Sequence, residues 1–181
     1  EKWTGENLVW GTTIQIVRGC IEQSAETLQQ AYDRFYREIR IANPGEEGVQ
    51  VDLSFHQHGP QLYSGGYGLD FADDCTRFIH HARGTQFEAP PDVLDVLIRY
   101  ILDGQQWMLR GRTFDYSAVG REIVRPGIGG ASMERAATLM ADFPNARRDE
   151  FVAFANRMKA SAAQYPFSGN RHFWRSDYMS H

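Results

Sequence analysis

The side chains able to do chemistry crowd into one stretch, Asp52 to Gly68, which holds His56, His58, Tyr63, Tyr67, Gln57 and Gln61 among Gly59, Gly65, Gly66 and Gly68. An imidazole, with an unperturbed pKa near ~6.5, can take or position a proton close to neutrality. A phenol, near ~10, becomes a base only where cations favour its charged form. Arg121 and Arg125, four residues apart in a second irregular segment, are cations of the right kind and can also grip acidic groups. Asn7 adds an amide that donates hydrogen bonds without titrating. Each has a plainer reading. Residues 52–68 can be an ordinary polar surface loop, Asn7 a helix N-cap, and Arg121 with Arg125 a surface pair for Glu122 or Asp115. His56 and His58 have the look of a zinc pair, but no acidic or thiol partner stands at a telling spacing.

The stretch itself has no helical or strand period, and Gly59-Pro60 and Ser64-Gly65-Gly66 are turn signals, so it must be held by its neighbours. Thr4-Gly5-Glu6-Asn7 leads into a helix that ends near Gly19 to Cys20. Ser24 opens a second, with Leu28, Ala31, Tyr32, Phe35 and Ile39 as its apolar stripe, closed by Asn43-Pro44-Gly45. Residues 46–66 read as loop. A third helix runs from Tyr67 to Arg83, with Gly84 at its end. Pro90-Pro91-Asp92 starts a fourth that continues to Trp107, and residues 113–130 are irregular. Ser132 caps a fifth helix reaching Asp142, and a sixth spans Arg147 to Ala163. The tail, Arg171 to Met179, reads as a lone strand. Six helices in three hairpin pairs, with long loops between pairs, place both candidate segments on connections of the functional kind.

At 181 residues the chain is one domain or part of a larger one. A net charge of −4 gives no general attraction to nucleic acid or anionic membrane, and no apolar run reaches membrane-spanning length. Cys20 and Cys75, the two cysteines, read as buried free thiols. His80 and His81 are neighbours that cannot share a helix face, and read as surface or packing residues. Trp10 and Trp107 read as core residues ahead of sugar platforms. The first residue is Glu1 with no initiator Met, as in a processed or excised chain.

The motifs resemble those of the family-eight polysaccharide lyases, which include hyaluronate, chondroitin AC and xanthan lyases. The family pattern Asp-x-Ser-Phe-x-Gln-His, then Tyr-x-Gly-x-Tyr-Gly, is matched by Asp52-Leu53-Ser54-Phe55-His56-Gln57-His58 and Tyr63-Ser64-Gly65-Gly66-Tyr67-Gly68. Thr4-Gly5-Glu6-Asn7 matches the family's Thr-Gly-x-Asn, and Gly120-Arg121-Glu122-Ile123-Val124-Arg125 its Gly-Arg-x-x-x-Arg. Leu53 departs from the pattern, which usually has Gly there.

The resemblance implies a mainly α fold. Residues 1–165 would be the C-terminal part of an (α/α) toroid, and residues 166–181 a linker and first strand of a following β-domain, with Trp174 at their junction. It implies β-elimination on a uronate polysaccharide, with Asn7, His58, Tyr67 and Arg121 as catalytic residues and Arg125, Gln57 and Tyr63 binding substrate. Tyr63 would be a wall of the cleft. No metal or cofactor is implied. The partners would be an acidic polysaccharide and the rest of the same lyase chain, which would supply earlier toroid helices and a catalytic glutamate, and the setting secreted or periplasmic. Two readings of other classes stand beside it: a non-catalytic carbohydrate-binding helical module, and a metal-dependent hydrolase using Asp52, His56 and His58.

Overall fold

The computed structural model describes residues 3–125, 130–159 and 167–181. Helix α1, Gly5–Glu22, and α2, Ala25–Glu38, form a tight hairpin. Ser24 accepts from Thr27 N at 3.1 Å, the N-cap bond its type and position predict. The turn is made by Gln23 in the left-handed region (φ 53°), whose N–H reaches back to Gly19 and Cys20. That cap lets α1 run past the expected stop. Ala31, Tyr32 and Phe35 bury the stripe of α2, while α1 turns Cys20 outward. Only Cys75 of the two thiols is buried; Cys20, near the C-terminal end of α1, is exposed.

Helix α3, Tyr67–Ala82, packs against α1 on one side and against α5, Ala131–Ala141, on the other. It is the element that joins the two halves of the core. Helix α4, Pro91–Arg99, does not continue to Trp107: a π-turn over Tyr100–Gly104 and a 3-10 turn over Gln105–Met108 take its place. The deviation aims two side chains at the central loop. Tyr100 OH donates to Gly68 O at 2.9 Å, and Gln105 Nε2 donates to Ser64 O at 2.9 Å. The first residues of α3 are therefore held from below by a break in the neighbouring helix. Helix α6, Arg148–Lys159, pairs with α5, and the expected extension to Ala163 lies outside the described residues. Gly130, not Ser132, is the N-cap of α5, so Ser132 sits inside its first turn.

Among the described residues, three two-stranded antiparallel ladders occupy segments expected to be irregular or single. β1, Gly48–Val49, pairs with β2, Phe55–His56; β3, Leu109–Arg110, pairs with β4, Thr113–Phe114. The tail is not a lone strand: β5, Arg171–Phe173, folds back on β6, Tyr178–Ser180. Its turn is bound to the central loop, where Asp52 Oδ2 accepts from Arg175 N at 2.6 Å and His56 Nε2 lies 2.8 Å from Ser176 Oγ. Phe173 is fully buried in the same apolar cluster as Phe35, Phe55, Phe71, Tyr100 and Phe151. One core thus runs from α1 to the terminal hairpin. Leu53 occupies the left-handed region (φ 69°), where glycine is freest, which explains why a glycine suits that position; its side chain is 3% exposed, so core burial offsets the backbone cost.

Candidate active site

Asn7 lies in the first turn of α1, not at its cap. The N-cap residue is Thr4, whose hydroxyl donates to Glu47 Oε2 at 2.6 Å and makes no capping bond. The free N–H groups at the helix start are satisfied by tertiary neighbours instead: Gly5 N donates to Glu38 Oε1 at 2.5 Å and Glu6 N to Gln57 Oε1 at 3.1 Å. Gly5 has φ 56°, and a Cβ there would collide with the Gln57 oxygen, so both conformation and space demand glycine. Gln57 Nε2 also donates to Glu47, which accepts from Gly59 N at 3.2 Å as well. Glu47 therefore ties the start of α1 to the loop on both sides of His58.

This arrangement corrects two expectations. Gln57 has no exposed surface; it is a clamp on the N-terminus of α1 and does not reach a substrate surface. Tyr63 is also fully buried, so it is not a cleft wall. Its ring is wedged between Gly66 and Gly120, and at Gly120 (φ 54°) an added Cβ would lie 2.6 Å from the ring. Its hydroxyl donates to Glu122 Oε1 at 3.1 Å. Burial, and then the Glu122 carboxylate, push the Tyr63 phenol above its ordinary pKa.

The remaining residues meet at Tyr67, the first residue of α3. His58 is exposed, held in the left-handed region (φ 60°), and its ring stands edge-on to Tyr67 with centroids 4.9 Å apart. Strained backbone of this kind clusters at functional sites. Arg121 Nη2 donates to Tyr67 OH at 3.1 Å and its guanidinium lies 5.8 Å from the ring centroid. Arg121 belongs to a 3-10 turn, Gly120–Val124, with Arg125 just beyond it. Tyr63 supports the Tyr67 ring from beneath at 5.0 Å, and Trp10 flanks it at 5.5 Å. Two grooves meet at Trp10. One, of 500 Å³, is lined by Asn7, His58, Glu47 and Trp10; the other, of 560 Å³, by Tyr67, Arg121, Arg125, Asp70 and Trp10. Trp10 is 39% exposed and is not the core residue expected. Asn7, His58, Tyr67, Arg121 and Arg125, though spread over most of the chain, all border this pair of grooves.

Carboxyls lie behind the grooves. Asp70, one turn beyond Tyr67, reaches solvent on the groove side, yet desolvation, then Asp74, Asp73 and Glu122, push it up to about 6. Glu6, next to Asn7, is completely buried, and neither of its oxygens has a hydrogen-bond donor among the described residues. Its near polar neighbour is Asp74, a carboxyl that can only share a proton with it. Burial first, and Asp74 second, raise its pKa well above the carboxylate range. A carboxyl raised in the folded state stabilises fully below its unfolded value of ~4.3, and that contribution is lost as pH climbs through the folded value. Glu6→Gln is therefore expected to raise stability by about 1–3 kcal/mol at pH 8 and by little at pH 4, measured by urea unfolding at both pH values.

The donors of the metal-hydrolase reading are committed elsewhere. Asp52 Oδ1 accepts from Ser54 N and Oγ, its other oxygen binds Arg175 N, and His56 is buried against Ser176, away from exposed His58. Glu47 and Asp70 escape sequence reasoning, which reads Glu122 only as a surface partner for the two arginines, and it does contact them. Glu122 stands inside the Gly120 to Arg125 motif as an unspecified position, whereas nothing in the sequence marks Glu47 or Asp70.

Residues 1–155 match the family model described as the N-terminal α-helical domain of polysaccharide lyase family 8. Across its whole length the chain is 28% identical to chondroitinase-AC of Pedobacter heparinus, of which it spans 26%. A solved chondroitinase AC lyase, studied with bound oligosaccharides, superimposes with a TM-score of 0.90 at 24% identity, over 98% of this chain and 27% of that one. The xanthan lyase of a Paenibacillus species superimposes with a TM-score of 0.76 at 17% identity, over 94% of this chain and 19% of that one. These structural likenesses concern the fold alone. With its four motifs in order and a family match over 155 of 181 residues, the chain belongs to polysaccharide lyase family 8.

Proposed function

We propose that this chain carries the helical half of the active site of a lyase that cleaves a uronate-containing polysaccharide by β-elimination. The observation that carries the reading is the meeting of an imidazole, a phenol and a guanidinium at Tyr67, beside a groove that also holds Asn7. In the reaction the C5–H bond and the C4–O bond of the uronate break and a C4=C5 double bond forms. The proton leaves with a base on the enzyme, and the departing O4 gains one. Because the neighbouring carboxylate is already negative, removing the C5 proton places further charge on it, and a neutral amide donor, Asn7, stabilises that charge. Arg121 holds the phenol oxygen of Tyr67 and stabilises negative charge on it when the proton is gone. Tyr67 takes the C5 proton and returns one to O4 where both lie on one face of the sugar. Where they lie on opposite faces, His58 is the base and Tyr67 the acid. Arg125 draws in the acidic groups of the polymer.

The wider assignment rests on the same reading. The helices form part of an (α/α) toroid, residues 1–165, and residues 166–181 lead toward a β-domain. The exposed apolar row Ile14, Val17 and Ile21 on α1, at 65%, 50% and 78% exposure, suits cover by further helices of the same chain. A polymeric substrate of this class puts the protein outside the cytoplasm, secreted or periplasmic. The test is the ultraviolet absorbance of the intact protein incubated with hyaluronan, chondroitin sulfate, xanthan and alginate. An absorbance rise from unsaturated ends is expected with at least one. New reducing ends without that absorbance mean hydrolysis, and binding without cleavage means a sugar-binding module; either result overturns the proposal.

A further inference from the structure

We infer that Glu122 is the positioning residue of this site: its carboxylate divides the two arginines between tasks and locks the phenol beneath Tyr67. The inference rests on the lyase reading of the site and deepens it. Glu122 is the only acid in its turn, and its side chain is 8% exposed. Burying a carboxylate is costly unless its charge is met, and here it is met from three sides. Tyr63 OH donates to Oε1 at 3.1 Å. Arg125 Nη1 lies 2.7 Å from Oε2, a charge contact not aligned as a hydrogen bond. Arg121 Nε lies 3.9 Å from Oε1.

The inequality of those last two distances is the informative part. The carboxylate engages Arg125 closely and Arg121 loosely, and Arg121 spends its Nη2 on Tyr67 OH at 3.1 Å. Were the arginines there only to attract an acidic sugar, an anion between them would be counterproductive, since it cancels half of their charge. Its use is geometric. Attached to a short 3-10 turn, exposed guanidiniums have many rotamers; a buried carboxylate between them narrows those to the set that meets the phenol. The same oxygen that faces Arg121 also holds Tyr63, on which the Tyr67 ring rests at 5.0 Å. The charged and titratable groups around Glu122 are Tyr63 from the central loop, Tyr67 and Asp70 from α3, and Arg121 and Arg125 from its own segment.

Glu122→Gln keeps an acceptor for Tyr63 and removes the anion. In the intact protein, kcat is expected to fall about 10-fold or more while KM changes less than about 3-fold, and the pH at which the rate is half-maximal is expected to move by at least half a unit. Glu122→Asp, which keeps the charge on a shorter arm, is expected to restore part of kcat and return the pH limb toward the wild-type position. A purely structural residue would lower the folded fraction and leave the pH limb where it was, so a fall in kcat with an unmoved limb overturns the inference. A crystal structure of Glu122→Gln decides the point without any substrate: Arg121 is expected to leave the Tyr67 oxygen, and an Arg121 still within 3.5 Å of it overturns the assignment. Absence of unsaturated product from the wild-type protein on every polysaccharide would instead count against the lyase reading alone.

Discussion

Tyr67→Phe is expected to cut the rate of unsaturated-product formation by about 10²–10⁴-fold while leaving the fold and sugar binding in place. The phenyl ring keeps its edge contacts with His58 and Tyr63 and its neighbour Trp10. Only the oxygen is lost, and among the described residues that oxygen has one hydrogen-bond partner, Arg121, at an exposed position. The substitution therefore isolates proton transfer from architecture. Initial rates by ultraviolet absorbance, alongside calorimetric binding of an oligosaccharide, separate the two. A variant retaining a tenth of the wild-type kcat would remove Tyr67 from proton transfer.

The second large effect is expected at Asn7. Asn7→Ala should lower kcat by about 10²–10³-fold, the cost of losing one donor to developing negative charge. Stability should change by less than about 0.5 kcal/mol. The reason lies in the capping of α1: Glu38 and Gln57 satisfy its first N–H groups, and no capping bond depends on Asn7. Alanine is also a better helix former than asparagine. Asn7→Asp should be slower still than Asn7→Ala, because it sets one carboxylate against another in a groove. Steady-state rates and urea unfolding of both variants check this. A stability loss near ~1 kcal/mol with kcat preserved would mark Asn7 as a capping residue after all.

Much of the scaffold was legible from local pattern. The stripe of α2 and its Ser24 cap, and the start of α3 at Tyr67, follow from side-chain period and turn residues, which act within a few positions of the chain. The misreadings share a different cause. Helix α4 breaks into a π-turn because Tyr100 and Gln105 must reach Gly68 and Ser64, a requirement set by residues more than thirty positions away. The tail closes into a hairpin because its turn is bound to Asp52 and His56, across 123 and 120 positions. No window of sequence contains those partners.

The site divides along the same line. From residue types and motif spacing alone, the chain declared its family-eight resemblance, the groups able to move a proton, His58 and Tyr67, and those able to meet negative charge, Asn7 and the arginines at 121 and 125. Which of the motif residues face the grooves was decided only by packing. Gln57 and Tyr63 have the right chemistry for sugar contacts, yet the fold buries both, one to cap α1 and one to brace Tyr67. Trp10 went the other way, from expected core to the ridge between two grooves. Glu122 gained its place from three side chains that converge on it in space. A side chain's chemistry is local and can be read from its letter; its burial and its partners depend on chain segments distant in sequence, and only the folded molecule brings those together.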